Sequence, residues 1–171
     1  MTSTTVGNRE TSTGDRTALT RPALGWAGKI SLVFLGLLAV GAIGGAAFML
    51  AKPDGSLMGF SPEMLAGSPF PDFLVPGLIL GGVFGIGSCV VIALGLRGAL
   101  IAPFLALAIG CGQMAWIVVE LAIIGEFSFL HPTMFAVGLV IALASVRWGW
   151  PTFESWRAAR SPRGGGTATT R

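Results

Sequence analysis

Charged residues are scarce in this chain of 171 residues, in which Asp, Glu, Lys and Arg together make up 11%. The strongly apolar residue types make up 53%, and the mean hydropathy is +0.77. Soluble globular proteins keep about a quarter of their residues charged, so this composition excludes that class as the default. The net charge of +3 does not indicate nucleic acid binding, because the basic residues share no soluble face.

The chain also has few of the residues on which thiol and metal chemistry depend. Its two cysteines, Cys89 and Cys111, form no Cys-x-x-Cys pair, which argues against thiol redox chemistry. Its single histidine, His131, stands among scattered carboxylates that lack a metal-ligand spacing. No phosphate-binding glycine loop, Gly-x-Ser-x-Gly elbow or His-Glu-x-x-His motif occurs. We therefore expect no cofactor and no metal, and the sequence disfavours an enzyme.

Long uncharged intervals separate the few charges. They cover residues 30–51, 73–96, 98–119 and 127–146, and are 22, 24, 22 and 20 residues long. A bilayer core of roughly 30 Å needs about 20 helical residues, because every backbone N–H and C=O must be paired within the segment. The sequence predicts an all-α polytopic membrane protein with four transmembrane helices in an antiparallel bundle. The spans are expected at about 30–51, 73–96, 99–124 and 132–147.

The distribution of Lys and Arg predicts the orientation. With four spans, ten of the eleven basic residues fall on one side, and only Lys52 falls on the other. The positive-inside rule then places both termini in the cytoplasm and residues 52–72 in an external loop. The ten are Arg9, Arg16, Arg21, Lys29, Arg97, Arg147, Arg157, Arg160, Arg163 and Arg171.

Composition divides the chain into a membrane domain, residues 24–150, and two polar ends. Residues 1–23 have almost nothing to bury, which predicts a disordered cytoplasmic tail. Residues 151–171 are expected to form a cytoplasmic interfacial segment followed by a disordered tail. Trp148, Trp150 and Arg157 are typical of an aromatic belt and a short interfacial helix held against anionic lipid. The expected partner there is the lipid bilayer and not nucleic acid.

Prolines mark the expected starts of helices. Ser61-Pro62-Glu63 predicts a short helix in the external loop, running to about Gly67, with Ser61 as its N-cap. A proline lies in the first turn of each of the last three spans, where the missing N–H does little harm. These prolines are Pro76, Pro103 and Pro132.

Small residues form a stripe along the second span. Gly77, Gly81 and Gly85 follow one another at a spacing of four, and Gly41 and Gly45 repeat that spacing in the first span. Such stripes let helix backbones approach closely in lipid. They predict either close packing inside the bundle or a face that contacts a second copy or another membrane protein.

A polar face on the third span is the main candidate site. Gln113, Trp116, Ile117 and Glu120 fall at i, i+3, i+4 and i+7, which places the amide and the carboxyl on one side of the helix. An ionisable residue within a span usually faces the bundle interior or a wet cavity. Glu120 is therefore either a structural hydrogen-bonded group or part of a solute, proton or cation site. His131, which precedes Pro132, is either a helix-start residue or a companion of that site, together with Glu126 and Asp72.

Three phrases of the chain resemble a recurrent group of small bacterial four-span membrane proteins. They are SPFPDFLVPG at residues 68–77, WIVVE at 116–120, and FLHP at 129–132 followed by Gly138. The resemblance covers about residues 30–147 and leaves out both tails. It implies the four-span fold and a multi-pass position in the bacterial inner membrane, and it implies no activity.

The sequence thus favours a membrane protein without enzymatic activity, acting as a packing, scaffold or accessory bundle. The alternative is a component of a small-solute, proton or cation transporter or channel that uses Gln113 and Glu120. Transporters commonly build midplane sites from broken helices and inverted repeats, and neither is evident here.

Overall fold

The computed structural model describes residues 24–125 and 127–160. Four helices in these ranges are long and apolar enough to cross a membrane. They are α1 (Trp26–Ala51), α2 (Leu74–Leu96), α3 (Ala102–Ile124) and α4 (Leu130–Arg160). The described ranges contain no strand. The predictions of an all-α class and of four candidate spans are therefore confirmed.

The first and last helices are longer than the apolar intervals predict. α1 begins at Trp26 instead of residue 30, and α4 covers Leu130–Arg160 instead of 132–147. The segment expected to be a separate interfacial helix is the continuation of α4. Hydropathy identifies apolar residues only, so it does not detect a helix that continues into polar sequence. The two tails predicted to be disordered, 1–23 and the end of 151–171, lie outside the described residues.

Pro151 lies inside the polar end of α4. An interior proline costs a helix about 3 kcal/mol, because it removes one backbone hydrogen bond and crowds the preceding turn. One side-chain contact between residues four apart spans Pro151, and a second lies in the turn that follows. The indole N–H of Trp150 donates to Oε1 of Glu154 at 2.6 Å, and the guanidinium of Arg157 lies 5.8 Å from the ring centre of Phe153. Such pairs stabilise successive turns and offset part of the cost.

The connection between α1 and α2 folds back onto the helix ends. The backbone N–H of Phe73 donates to the carbonyl oxygen of Pro53 at 2.9 Å. Phe73, Leu65 and Met49 form a buried apolar cluster. Gly55, at φ +78°, lies against the Phe73 ring, and a Cβ at this position would be only 2.8 Å from the ring. The loop is therefore anchored by buried contacts.

Two local hydrogen-bond patterns shape this loop. Ser61 caps a short 3-10 helix, Pro62–Leu65, by accepting from the N–H of Glu63 at 3.3 Å. The predicted cap is confirmed, and the helix ends two residues earlier than expected. Ser56 donates its hydroxyl and its N–H to Oδ1 of Asp54, at 2.7 and 3.0 Å, and these bonds hold the pKa of Asp54 below its usual value.

The middle of α2 is a π-helical segment, Leu80–Ile86, that the sequence analysis did not predict. The N–H of Gly87 donates to the carbonyl oxygen of Gly82, five residues back, where an α-helix would pair residues four apart. Because a π turn holds more residues than an α turn, the segment changes which residues of α2 face their neighbours without breaking the helix.

The backbones of α3 and α4 approach each other at two glycines. A Cβ at Gly110 would lie 2.8 Å from the carbonyl oxygen of Gly138 and 2.8 Å from the backbone nitrogen of Ala142. A Cβ at Gly138 would in turn lie 2.9 Å from the carbonyl oxygen of Gly110. Neither position has room for a side chain.

The interior between the helices is filled mainly by aliphatic side chains. Leu35 of α1, Ala106 of α3 and Ile141 of α4 are completely buried in one core cluster. Ser31 of α1 and Ser145 of α4 are also buried, and their hydroxyls are hydrogen-bonded to each other at 2.9 Å. α1 and α4 therefore share both apolar and polar contacts.

Gly110→Ala should lower the free energy of unfolding by about 1–3 kcal/mol, the range for overpacking a tight contact. The new methyl group would meet backbone atoms of α4, which cannot rotate away. Thermal unfolding in detergent, followed by circular dichroism, measures the change.

Gly112→Ala is the matched control on the same helix. A Cβ at Gly112 meets the ring of Phe84 at 3.5 Å, an ordinary contact distance, so its unfolding temperature should stay unchanged or rise. Equal effects of the two substitutions would contradict a backbone-to-backbone contact at Gly110.

Candidate functional site

The polar face of α3 turns toward the other helices. Gln113 is 2% exposed and Ile117 is buried, while Trp116 and Glu120 are half-buried. The Trp116 ring lies 6.0 Å, centre to centre, from the ring of Phe84 on α2. The four residues grouped by sequence spacing therefore lie at or near the contact between helices.

Gln113 is a polar side chain in the middle of the interior. A Cβ at Gly138 on α4 would lie 3.3 Å from the Cβ of Gln113, so α4 packs closely against Gln113. Its carbonyl oxygen, Oε1, is buried and has no hydrogen-bond donor among the described residues. Oγ of Ser88, on α2, is likewise buried without a partner there. An unpaired buried polar atom costs about 1–3 kcal/mol, so these two groups destabilise an otherwise apolar core.

Glu120 and His131 lie on either side of the turn between α3 and α4, Glu120 near the end of α3 and His131 near the start of α4. The imidazole is held by Ser128, whose N–H donates to Nδ1 at 3.1 Å, and it stacks on the ring of Phe127 at 6.2 Å. Gln113 lies seven residues from Glu120, roughly 10 Å along the axis. The polar groups of this face therefore lie at two levels, a deep amide and a carboxylate near the end of α3, with His131 across the turn.

Asp72, another expected companion of Glu120, forms a hydrogen bond within its own segment. Oδ1 of Asp72 accepts from the N–H of Leu74 at 2.9 Å and so caps the start of α2. Glu126 lies outside the described residues. Within the described ranges, no three His, Cys, Asp or Glu side chains are grouped so that they could hold a metal ion. Cys89 and Cys111 are free and exposed on the helix surfaces.

The glycine stripe of α2 lies against α1. A Cβ at each position would come within 3 Å of an α1 side chain: Gly77 meets Met49, Gly81 meets Ala46, and Gly85 meets Ile43. On α1, a Cβ at Gly45 would lie 3.1 Å from Leu80, whereas one at Gly41 would meet nothing within 4 Å. The α2 stripe and Gly45 therefore serve close approach within the chain, and Gly41 faces outward.

Trp148 has a different role from the one its sequence context predicts. It was expected in an aromatic belt at the membrane surface, but it is only 4% exposed. A Cβ at Gly28 would lie 3.2 Å from its indole, and one at Gly95 would lie 2.9 Å from it, so the ring fills the space between two glycines of α1 and α2. Trp150, 49% exposed on the same helix, remains on the surface. In the sequence, only Gly28 and Gly95 indicate that Trp148 is buried. Their relation to Trp148 becomes visible only once the positions of the helices are known.

The groups of this site are suited to hydrogen bonding and proton exchange. Carboxylate and imidazole side chains are the groups that most often exchange protons in proteins, and the deep amide can both donate and accept a hydrogen bond. Among the described residues of the site, no hydrogen bond joins the imidazole to a serine or cysteine side chain, and its Nδ1 accepts from the Ser128 backbone N–H.

Comparisons with family models, curated proteins and solved structures found no match to this chain. The resemblance to small bacterial four-span proteins therefore stays a prediction.

Gln113→Met should raise the unfolding temperature in detergent, because it replaces an unpaired buried amide with an apolar side chain of similar length. The expected gain is about 1–2 kcal/mol in the free energy of unfolding, measured by thermal or denaturant unfolding.

Ser31→Ala provides the contrast. It removes a hydroxyl that is paired with Ser145, so the free energy of unfolding should fall by about 1 kcal/mol. If Gln113→Met destabilises the protein as much as Ser31→Ala does, the amide of Gln113 is a paired structural group, and its description as an unpaired one is wrong.

Proposed function

We propose that the chain is a multi-pass protein of the bacterial inner membrane, folded as an antiparallel four-helix bundle with both termini in the cytoplasm. The order of contacts between α1 and α2 supports the antiparallel arrangement. Successive glycines of α2, Gly77, Gly81 and Gly85, meet successively earlier residues of α1.

Charge supports the orientation. Lys29, Arg97, Arg147 and Arg157 lie at the helix ends that this topology places in the cytoplasm. The loop between α1 and α2 carries Lys52 as its only basic residue. Basic residues near span ends are retained on the cytoplasmic side.

Within this topology, the protein acts as a scaffold or accessory bundle and not as a catalyst. The observation that carries this proposal is the filled interior. Leu35, Ala106 and Ile141 are completely buried, and Ile117 is buried between Gln113 and Glu120. Large apolar side chains are instead exposed on the outer faces, as at Val40 and Leu143. The surface that meets lipid and membrane partners is therefore the functional surface.

A transporter or channel component is the second candidate. The unpaired Oε1 of Gln113 in the interior favours it, because a buried acceptor is suited to bind a donor that passes through. Glu120 and His131, near the ends of α3 and α4 on the external side, would then line the entrance from that side.

Labelling with a membrane-impermeant maleimide tests the topology. In a background with Cys89 and Cys111 replaced by alanine, Ala66→Cys, at an exposed position of the loop between α1 and α2, should react in intact cells. Ala99→Cys, in the turn between α2 and α3, should react only after the membrane is permeabilised. Reaction of both positions in intact cells would contradict the proposed orientation.

Two measurements separate the scaffold from the transporter. Proteoliposomes containing the protein should show no proton, sodium or potassium flux above empty liposomes, and Glu120→Gln should leave that result unchanged.

A photocrosslinking amino acid at Val40, which is 76% exposed, should link to another membrane polypeptide in native membranes. The same group at the fully buried Leu35 should link only within the chain. A flux that Glu120→Gln abolishes would favour the transporter, and crosslinks from Val40 to lipid alone would contradict the scaffold.

A further inference from the structure

An apolar groove lies between the start of α3 and the far end of α4. It has a volume of about 210 Å³ and is open on one side. Pro103, Phe104 and Leu107 of α3 form one wall, and Val146, Trp150 and Phe153 of α4 form the other.

We propose that this groove binds one acyl chain of an anionic phospholipid from the cytoplasmic leaflet, with the lipid phosphate held by Arg157. The assignment to that leaflet rests on the topology given under the proposed function. The position and the lining of the groove are independent of that topology.

The lining of the groove fits a segment of a hydrocarbon chain. Its lining is almost entirely apolar, and Val146, Trp150 and Phe153 are all exposed on its α4 side. Gly149 lies between them, where a Cβ would come within 3.3 Å of Pro103. The missing side chain keeps the space between the two walls open.

Arg157 stands at the end of the groove toward the polar part of α4. Val146, Trp150, Phe153 and Arg157 follow one another at i, i+4, i+7 and i+11, so they share one face of the helix. The guanidinium lies 5.8 Å from the centre of the Phe153 ring, which positions the cation directly beyond the apolar wall. An apolar groove followed by a cation matches an acyl chain followed by a phosphate.

The other charges at this end favour an anionic lipid. Glu154 is engaged by the indole N–H of Trp150 at 2.6 Å. Lys29 and Arg147 lie at the same end in the proposed topology, so with Arg157 the described basic residues outnumber the described carboxylate there. The excess of basic residues at this end therefore favours a lipid with net negative charge over a zwitterionic one.

Native mass spectrometry of the detergent-solubilised protein tests the proposal. The protein is titrated with phosphatidylglycerol and, separately, with phosphatidylcholine of the same acyl chains. We expect one phosphatidylglycerol to bind several-fold more tightly than phosphatidylcholine. Arg157→Gln should reduce phosphatidylglycerol binding about fivefold, since a basic residue near anionic lipid contributes about 1 kcal/mol. Arg97→Gln, an exposed arginine at the same end, is the matched control and should change binding less than twofold.

A second pair of variants tests the groove. Val146→Trp fills it and should reduce binding of both lipids at least tenfold, whereas Leu143→Trp, at an exposed position outside the groove, should not. Val146→Phe is used in the same way if Val146→Trp fails to fold, as judged by circular dichroism.

Three results would overturn the proposal. Equal affinity for the two lipids would remove the role of charge, and unchanged binding in the Val146 variants would remove the role of the groove. A protein dimer that Val146→Trp dissociates would show that a second copy occupies the groove. Because detergent-solubilised protein has no sidedness, these outcomes are independent of the maleimide test of topology.

Discussion

Close approach of helix backbones is the constraint on which this structure depends. In hydrocarbon, the hydrophobic effect does not drive helices together, so their association relies on van der Waals contact and on the few polar contacts between them. Gly110 and Gly138 bring the backbones of α3 and α4 into contact. The glycine stripe of α2 lets the α2 backbone pack directly against side chains of α1. Trp148 then fills the space that Gly28 and Gly95 leave, which ties α4 to the other side of the bundle.

The polar groups of the interior differ in how well they fit this packing. Ser31 and Ser145 pair with each other and join α1 to α4. Gln113 and Ser88 are buried without such pairing among the described residues, next to the α2 segment that departs from α-helical geometry. Natural proteins keep a costly buried polar group where specificity or function requires it. The region around Gln113 and Ser88 is therefore one place where an otherwise apolar core departs from the arrangement that stability alone would select.

The two ends of the helices are built differently. The loop between α1 and α2 is closed by its own buried residues, Leu65 and Phe73, and by backbone hydrogen bonds. At the opposite end, α4 extends past the apolar region and presents aromatic and basic side chains on one face. A structured cap on one side and an extended basic helix on the other give the molecule two distinct surfaces. The second is the one suited to lipid headgroups.

The sequence by itself determined the helical class, the four candidate spans, the Ser61 cap and the shared face of Gln113 and Glu120. All of these depend on contacts within one segment, where composition and spacing are sufficient. Only the tertiary structure decided that Trp148 is buried, that Gly41 faces outward while Gly77 and Gly81 do not, and that Gly110 opposes Gly138. Spacing along one helix gives a face but not its neighbour, because the neighbour depends on how all the helices pack together.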